Sequence, residues 1–488
     1  MTRFPFNIFK SRIIGGISVV LLSLILSVSA DSTTDLLPRK SGVRRPSIIL
    51  IVADGLGWGD LGCYGQKQIL TPFIDKMASE GMMFRQFYAG GSTGQSSRAS
   101  LLTGKTTGHT AIRGEGEVPL GAEERTLGEL LHSAGYDTAA IGEWGLGDRR
   151  GGAFPLQRGF DDWFGYLGES EAEEYYPLQL SRADREHEKY FEIGENRHAA
   201  QGKYADDFFT EAGQRFIHNH KPDRFNYFKP FFLYLPLNIP RANKSLASRT
   251  KNGMQTPDTK PYSDMAWPEP EKCKAAMITR LDIYVGAIME TLANEKIEDN
   301  TLLILTSSTG PHGDGGVKPV FFKSAGSLKG QKGDLYEGGI RIPLVAWWSK
   351  RIKPGSVCDT PLALYDLLPT LTELAEETAP AGIDGISFVP TLVGLPQNQK
   401  HDYLYWESHQ KGFCQAIRMG EWKGVRSGVD ADLELYNLDR DASETNNVAS
   451  KNAEIAANLT QLLKNARNPD THWPALTASE IAALRSEK

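Results

Sequence analysis

Residues Ser47-Ile-Ile-Leu-Ile-Val-Ala-Asp54 form an unbroken apolar, largely β-branched run that ends on a carboxylate, and its reading decides the fold. A strand hidden on both faces reads as a continuous hydrophobic stretch, because alternation is needed only where one face meets water. The run therefore predicts a central strand of a parallel sheet, with a functional loop after its carboxyl end. Downstream, Thr71-Pro72 supplies an N-cap followed by proline at the first helical position, which predicts a helix over 73–80 that stops at Gly81. A second helix is predicted over 126–134, a short strand over 138–141, a helix over 208–217 and a buried strand over 231–235. Met277, Leu281, Val285, Ile288 and Leu292 recur at helical spacing and mark one core-facing stripe. Strands over 301–306 and 343–348, the latter again central, and a helix over 365–375 continue the alternation.

This order predicts an α/β fold, a large domain with a central, mostly parallel sheet flanked by helices, spanning 47–394. Past Gly394-Leu395-Pro396 the pattern changes to short strands at 415–418 and 433–438 and a helix over 453–466, which predicts a small C-terminal α+β subdomain over 395–488. Residues 169–202, rich in Glu, Arg and Tyr without a clear period, read as a long surface insertion near the strand ends.

The chain has 488 residues, 40% hydrophobic and 23% charged, enough apolar material for a large core. With 54 basic against 60 acidic residues, the net charge of −6 gives no electrostatic reason to expect nucleic acid as partner. Arg3, Lys10 and Arg12 precede the apolar run 13–28, and Val28-Ser29-Ala30 offers small residues for cleavage. Residues 1–30 thus read as a signal peptide and 31–46 as a polar linker, which predicts a secreted or periplasmic protein. The run holds Gly15 and Gly16 and is short of the ~20 residues of a membrane span, so no stable span is expected after cleavage. Cys63, Cys273, Cys358 and Cys414 have no zinc-ribbon or CxxC spacing. Asn243-Lys-Ser245 and Asn458-Leu-Thr460 are glycosylation acceptors where the host supplies that machinery.

Six segments resemble the sulfatase family of the alkaline-phosphatase-like superfamily. They are Ala53-Asp-Gly-Leu-Gly-Trp-Gly-Asp60, Thr71-Pro72, Ser97-Arg-Ala-Ser-Leu-Leu-Thr-Gly-Lys105, Tyr336-Glu-Gly-Gly-Ile-Arg-Ile-Pro343, Asp366-Leu-Leu-Pro-Thr370 and Leu435-Tyr-Asn-Leu438. Their order and spacing carry the resemblance over nearly the whole mature chain. It implies hydrolysis of sulfate esters by a formylglycine made from Cys or Ser in Cys/Ser-x-Pro/Ala-x-Arg, beside a calcium ion.

Counted back from Arg98, the formylglycine position is Gly94, and the Pro/Ala position is Ser96. Glycine has no side chain to oxidise or to attack with. Where the family's first strand ends Asp-Asp this chain has Asp54-Gly55, and where a later strand ends Asp-Asn-Gly it has Ser308-Thr309-Gly310. Calcium takes about six to eight oxygens with several carboxylates among them, so Asp54 alone predicts a poor cage and reads as a strand-end carboxylate. The family's sulfate-binding lysine becomes Glu143, which reverses its charge and predicts that an anion is repelled there; its histidine becomes Gly145, and Pro-His becomes Pro240-Arg241. In branches with glycine at that histidine position, a histidine precedes Tyr-Tyr-Pro, but here the region reads Ala172-Glu-Glu-Tyr-Tyr-Pro177. Arg98, Lys105, His312 and Lys332 survive, and the resemblance implies that Arg98 supports the nucleophile loop and Lys332 reaches sulfate.

The pattern predicts a fold kept without its chemistry, a pseudoenzyme in which neither calcium nor formylglycine is expected. It would bind a sulfated carbohydrate, pair with another sulfatase-like chain or act as a structural module. Two enzymatic readings stand beside it. One is an active sulfuric ester hydrolase using Ser92, Ser96 or Ser97 and a different cation arrangement. The other is a phosphatase, which would need paired zinc ligands that neither strand end supplies.

Overall fold

The computed structural model describes residues 45–116, 118–185, 187–198, 202–410 and 412–486. The expected signal segment and the linker up to residue 44 lie outside the described residues. In chain order the strands are β1 (Ser47–Ala53), β2 (Met82–Tyr88), β3 (Asp137–Glu143), β4 (Asp162–Tyr166), β5 (Gln179–Ala183), β6 (Glu188–Glu192), β7 (Phe231–Pro236) and β8 (Thr301–Ser307). They continue with β9 (Arg341–Trp347), β10 (Ser356–Cys358), β11 (Leu362–Ala363), β12 (Leu404–Ser408), β13 (Cys414–Met419), β14 (Trp422–Ser427) and β15 (Glu434–Asn437).

The main sheet runs β10-β2-β9-β8-β1-β7-β3-β4-β5-β6, with β11 beside β2. All seven residues of β1 are buried, as its unbroken apolar run requires. It lies parallel between β7 and β8, with Val52 opposite Pro236 and Ala53 opposite Ser307. Alternate side chains of β1 feed two cores. Ile49 and Ile51 pack in the core shared with Met77, Phe209 and Leu281 from the helices Pro72–Glu80, Ala205–His220 and Glu269–Glu295. Ile48, Leu50 and Val52 pack in the core shared with Leu101, Leu130 and Leu371 from the helices Gly94–Thr103, Leu127–Ser133 and Leu367–Leu374. The result is a sheet covered by helices on both faces.

The five strands β8, β1, β7, β3 and β4 are parallel, whereas β9 runs antiparallel to both of its neighbours and β5 antiparallel to β4, so the sheet is parallel at its centre and mixed toward both edges. Within the main sheet β2, β4, the β5–β6 hairpin and the short β10 and β11 escaped the sequence reading. β2, Met82-Met-Phe-Arg-Gln-Phe-Tyr88, mixes buried and exposed positions and has no clean period. The segment 169–202, expected as an irregular insertion, contains the β5–β6 hairpin, which extends the sheet by antiparallel pairing. β6 is exposed along its whole length, so burial leaves no pattern there to read.

β12 to β15 form a separate four-stranded antiparallel sheet near the C-terminus, packed on the helix Ala453–Asn465 through Tyr405, Ile417, Leu459 and Leu463. Its β14 carries the fully buried Lys423, whose ammonium lies 2.9 Å from both Glu337 and Glu444. Among the described residues no helix is long and apolar enough to cross a membrane.

Candidate active site

Parallel register brings chain positions far apart in sequence to one edge. Because Ala53 pairs with Ser307, the residues that follow, Asp54 and Ser308, stand side by side, and Ser308 Oγ donates to Asp54 Oδ1 over 3.1 Å. Lys332 arrives on a loop pinned by its own amide to the Pro311 carbonyl and by the Gly333 amide to the Ser92 carbonyl. Its ammonium donates to the same Asp54 oxygen over 2.9 Å.

The other Asp54 oxygen faces Arg241, whose Nε lies 2.7 Å away in an ion pair. Arg241 Nη1 donates to Glu143 Oε1 over 2.9 Å and its Nη2 to Glu169 Oε1 over 2.6 Å. Glu143 also takes an ion pair from Arg98 Nη2 at 2.9 Å, while Arg98 Nε donates to the Trp144 carbonyl over 3.0 Å. Three carboxylates (Asp54, Glu143, Glu169) thus meet three cations (Arg98, Arg241, Lys332), and the cluster balances its own charge. Arg98, Glu143, Asp54 and Arg241 are all buried.

Gly94 occupies the first position of the helix Gly94–Thr103, after the N-cap Thr93, whose hydroxyl accepts the Ser96 amide. A Cβ at Gly94 would stand 3.0 Å from Arg98 Nη1 and 3.4 Å from Asp54 Oδ2, so position 94 faces the charged cluster with nothing to present to it. Gly55 has φ +79°, and a Cβ there would meet the His312 ring at 2.8 Å. Gly145 has φ +66°, and a Cβ there would strike Arg98 Nη2 at 2.5 Å. Both positions suit glycine because neighbouring side chains fill the space and the backbone is left-handed.

Electrostatics follow from burial among fixed charges. Burial pushes the Asp54 carboxyl up, but Arg241, Lys332 and Arg98 outweigh it and hold the group well below the usual carboxylate range. For Glu143 burial wins over Arg241 and Arg98 and moves the carboxyl upward. The Arg241 guanidinium is favoured in its charged form by Asp54, Glu143 and Glu169 in spite of burial. Burial pushes the His312 imidazole down to about 4, so its Nε2–H donates to the Pro240 carbonyl while Nδ1 accepts the Asp314 amide. Thr309 Oγ1 is buried and has no hydrogen-bond partner among the described residues.

The serines near Gly94 are all engaged. Ser92 Oγ donates to Ser408 Oγ, Ser96 Oγ lies in the capping box with Thr93, and Ser97 Oγ donates to the Gly91 carbonyl. Lys105 stands apart from the cluster, 3.5 Å from Glu124. Glu169, from the segment read as an insertion, was not foreseen as a site residue, and Arg241 was noted only as a lost histidine. No local spacing signals their meeting, since Arg241 lies 72 positions from Glu169 and 98 from Glu143.

The charged cluster and the start of the helix Gly94–Thr103 lie at the strand ends, where an open α/β sheet usually places its ligand site. The sulfatase family model matches residues 46–377, and the model for the C-terminal region of N-sulphoglucosamine sulphohydrolase matches 331–469. The chain belongs to the sulfatase family. It is 32% identical to N-acetylgalactosamine-6-sulfatase of Sus scrofa over 424 residues, covering 79% of this chain and 74% of the relative. It is 28% identical to N-acetylgalactosamine-6-O-sulfatase of Bacteroides thetaiotaomicron, covering 87% and 93%, and 29% identical to arylsulfatase A of Homo sapiens, covering 86% and 87%. The crystal structure of Ps i-CgsB in complex with k-i-k-neocarrahexaose superposes with a TM-score of 0.74 at 26% identity, covering 91% of this chain and 98% of that one.

Proposed function

We propose that this chain is an exported sulfatase-like protein that does not hydrolyse sulfate esters and instead binds a sulfated carbohydrate. The observation that carries the loss of hydrolysis is Gly94: the position facing Asp54 and Arg98 has no nucleophile to offer. Ester cleavage also needs a cation free to polarise the leaving oxygens, and here every cationic side chain of the cluster is paired with a carboxylate. Calcium does not fit this donor set. Asp54 Oδ1 receives Lys332 and Ser308, Oδ2 is held against Arg241, and Gly55 has no side chain, while His312 fills the space beside it. A serine route is disfavoured because Ser92, Ser96 and Ser97 are buried in structural hydrogen bonds.

The carbohydrate ligand is supported by relatives named for sulfated N-acetylgalactosamine substrates. Lys332 is the cluster cation most open to solvent, its side chain 13% exposed against 2% for Arg98 and 6% for Arg241. It is therefore the cation that can exchange Asp54 for a sulfate arriving from solvent.

The test has two arms. Purified mature protein is assayed against aryl sulfates and sulfated oligosaccharides, with the intact mass of the peptide containing Gly94 measured in parallel; turnover above that of an Asp54→Ala control overturns the loss of hydrolysis. Calorimetry with a sulfated oligosaccharide at low ionic strength reads the binding, which should weaken about tenfold in Lys332→Ala and fade with salt. Equal affinity of the two proteins would place any glycan contact elsewhere.

A further inference from the structure

The three nitrogens of one guanidinium each face a different carboxylate: Arg241 Nε against Asp54, Nη1 against Glu143 and Nη2 against Glu169, at 2.7, 2.9 and 2.6 Å. These carboxylates come from three elements, the end of β1, the end of β3 and the loop after β4. Three acids brought together at such short range repel one another unless a cation sits among them. A planar fork with nitrogens on three sides faces all three at once, hydrogen-bonded to Glu143 and Glu169 and ion-paired with Asp54, as a point-charge ammonium cannot.

We propose that Asp54, Glu143 and Glu169 form a guanidinium cradle and that Arg241 is its tethered cation, standing against Asp54 in place of a bound metal ion. The folded chain then takes up no divalent ion at Asp54, because the charge such an ion would supply is already part of the polypeptide. Arg98 and Lys332 complete the balance from either side, on Glu143 and Asp54. Removing the Arg241 side chain leaves a net negative hollow of guanidinium shape, which selects a small planar cation. The inference concerns the same pocket as the proposed function but is read separately: hydrolysis by a wild type indifferent to calcium would overturn that function and leave the cradle standing.

The experiment is thermal unfolding of the mature wild type, Arg241→Ala and Arg241→Lys, each in buffer, with millimolar calcium, with millimolar methylguanidinium and with equimolar methylammonium. The wild type should not shift with any addition. Arg241→Ala should melt several degrees lower and regain much of that loss with methylguanidinium, but not with methylammonium; Arg241→Lys should fall between. Should Arg241→Ala not fold, the double variant Arg241→Ala/Glu143→Gln, with one carboxylate neutralised, is measured in its place with the same expected rescue. A wild type stabilised by calcium, with the shift abolished by Asp54→Ala, overturns the proposal. So does a folded Arg241→Ala or double variant that methylguanidinium and methylammonium raise equally, or that neither raises.

Discussion

Arg241 and Glu143 are joined by a 2.9 Å hydrogen bond, and Arg98 is ion-paired with the same Glu143 oxygen at the same distance. A glutamate bridging two buried guanidiniums is a structural keystone rather than an open negative wall. The expectation that it repels anions has to be set against these partners, which cancel its charge from within.

Glu143→Lys should therefore destabilise the fold rather than recreate an anion contact, because it puts a third buried cation beside Arg98 and Arg241. Removing one partner of a buried pair costs about 3–5 kcal/mol, and a charge reversal should cost at least that much. Urea unfolding monitored by tryptophan fluorescence reads it. A variant as stable as the wild type would mean that Glu143 is not held as described.

Gly94→Cys should fold with little loss, within about 1 kcal/mol, because the closest group to the new Cβ is the movable end of Arg98 at 3.0 Å. It should not restore hydrolysis, since Asp54 stays bound to Arg241 and Lys332. Aryl sulfate turnover with intact mass of the cysteine peptide checks both halves, and turnover in this single variant would show that the remaining pocket is competent.

Gly55→Asp should cost about 2 kcal/mol or more, because the residue holds φ +79° and its Cβ would press on the His312 ring at 2.8 Å. The paired His312→Ala/Gly55→Asp variant should lose less than the sum of the two single losses if that contact is the cause. Simple additivity in a double-mutant cycle would leave the backbone as the sole source.

Asp206 is buried, accepts the Asn238 amide over 2.9 Å, and is pushed up by burial to about 7. A carboxyl whose folded value lies above its unfolded 3.8 contributes its full stability only below pH 4, and loses it as pH rises toward 7. Asp206→Asn should thus match the wild type near pH 4 and exceed it near pH 8, by on the order of 3 kcal/mol. Denaturation at the two pH values decides it; a variant less stable at both would mean that the ionised form is the one the fold needs.

The run from Ser47 to Asp54 announced a doubly buried strand because only a strand hidden on both faces can be apolar at every position. The helix predicted over 73–80 and the helical stripe from Met277 to Leu292 were also legible, proline position and apolar spacing being local properties of the chain, although the Thr71 side chain makes no capping hydrogen bond and the full extent of Glu269–Glu295 went unread. Likewise Gly94, Gly55, Glu143, Ser308 and Thr309 could be read as departures from a family pattern, since a motif is a matter of identity and order. The pairing of Asp54 with Arg241, of Glu143 with Arg98 and of Glu169 with Arg241 could not, because ion pairs between residues 45 to 187 positions apart depend on which strands lie side by side. Parallel register and the loops after β3, β4 and β7 decided that the acids and bases of this site face each other. That turned what read as a scatter of lost ligands into a closed, neutral cluster.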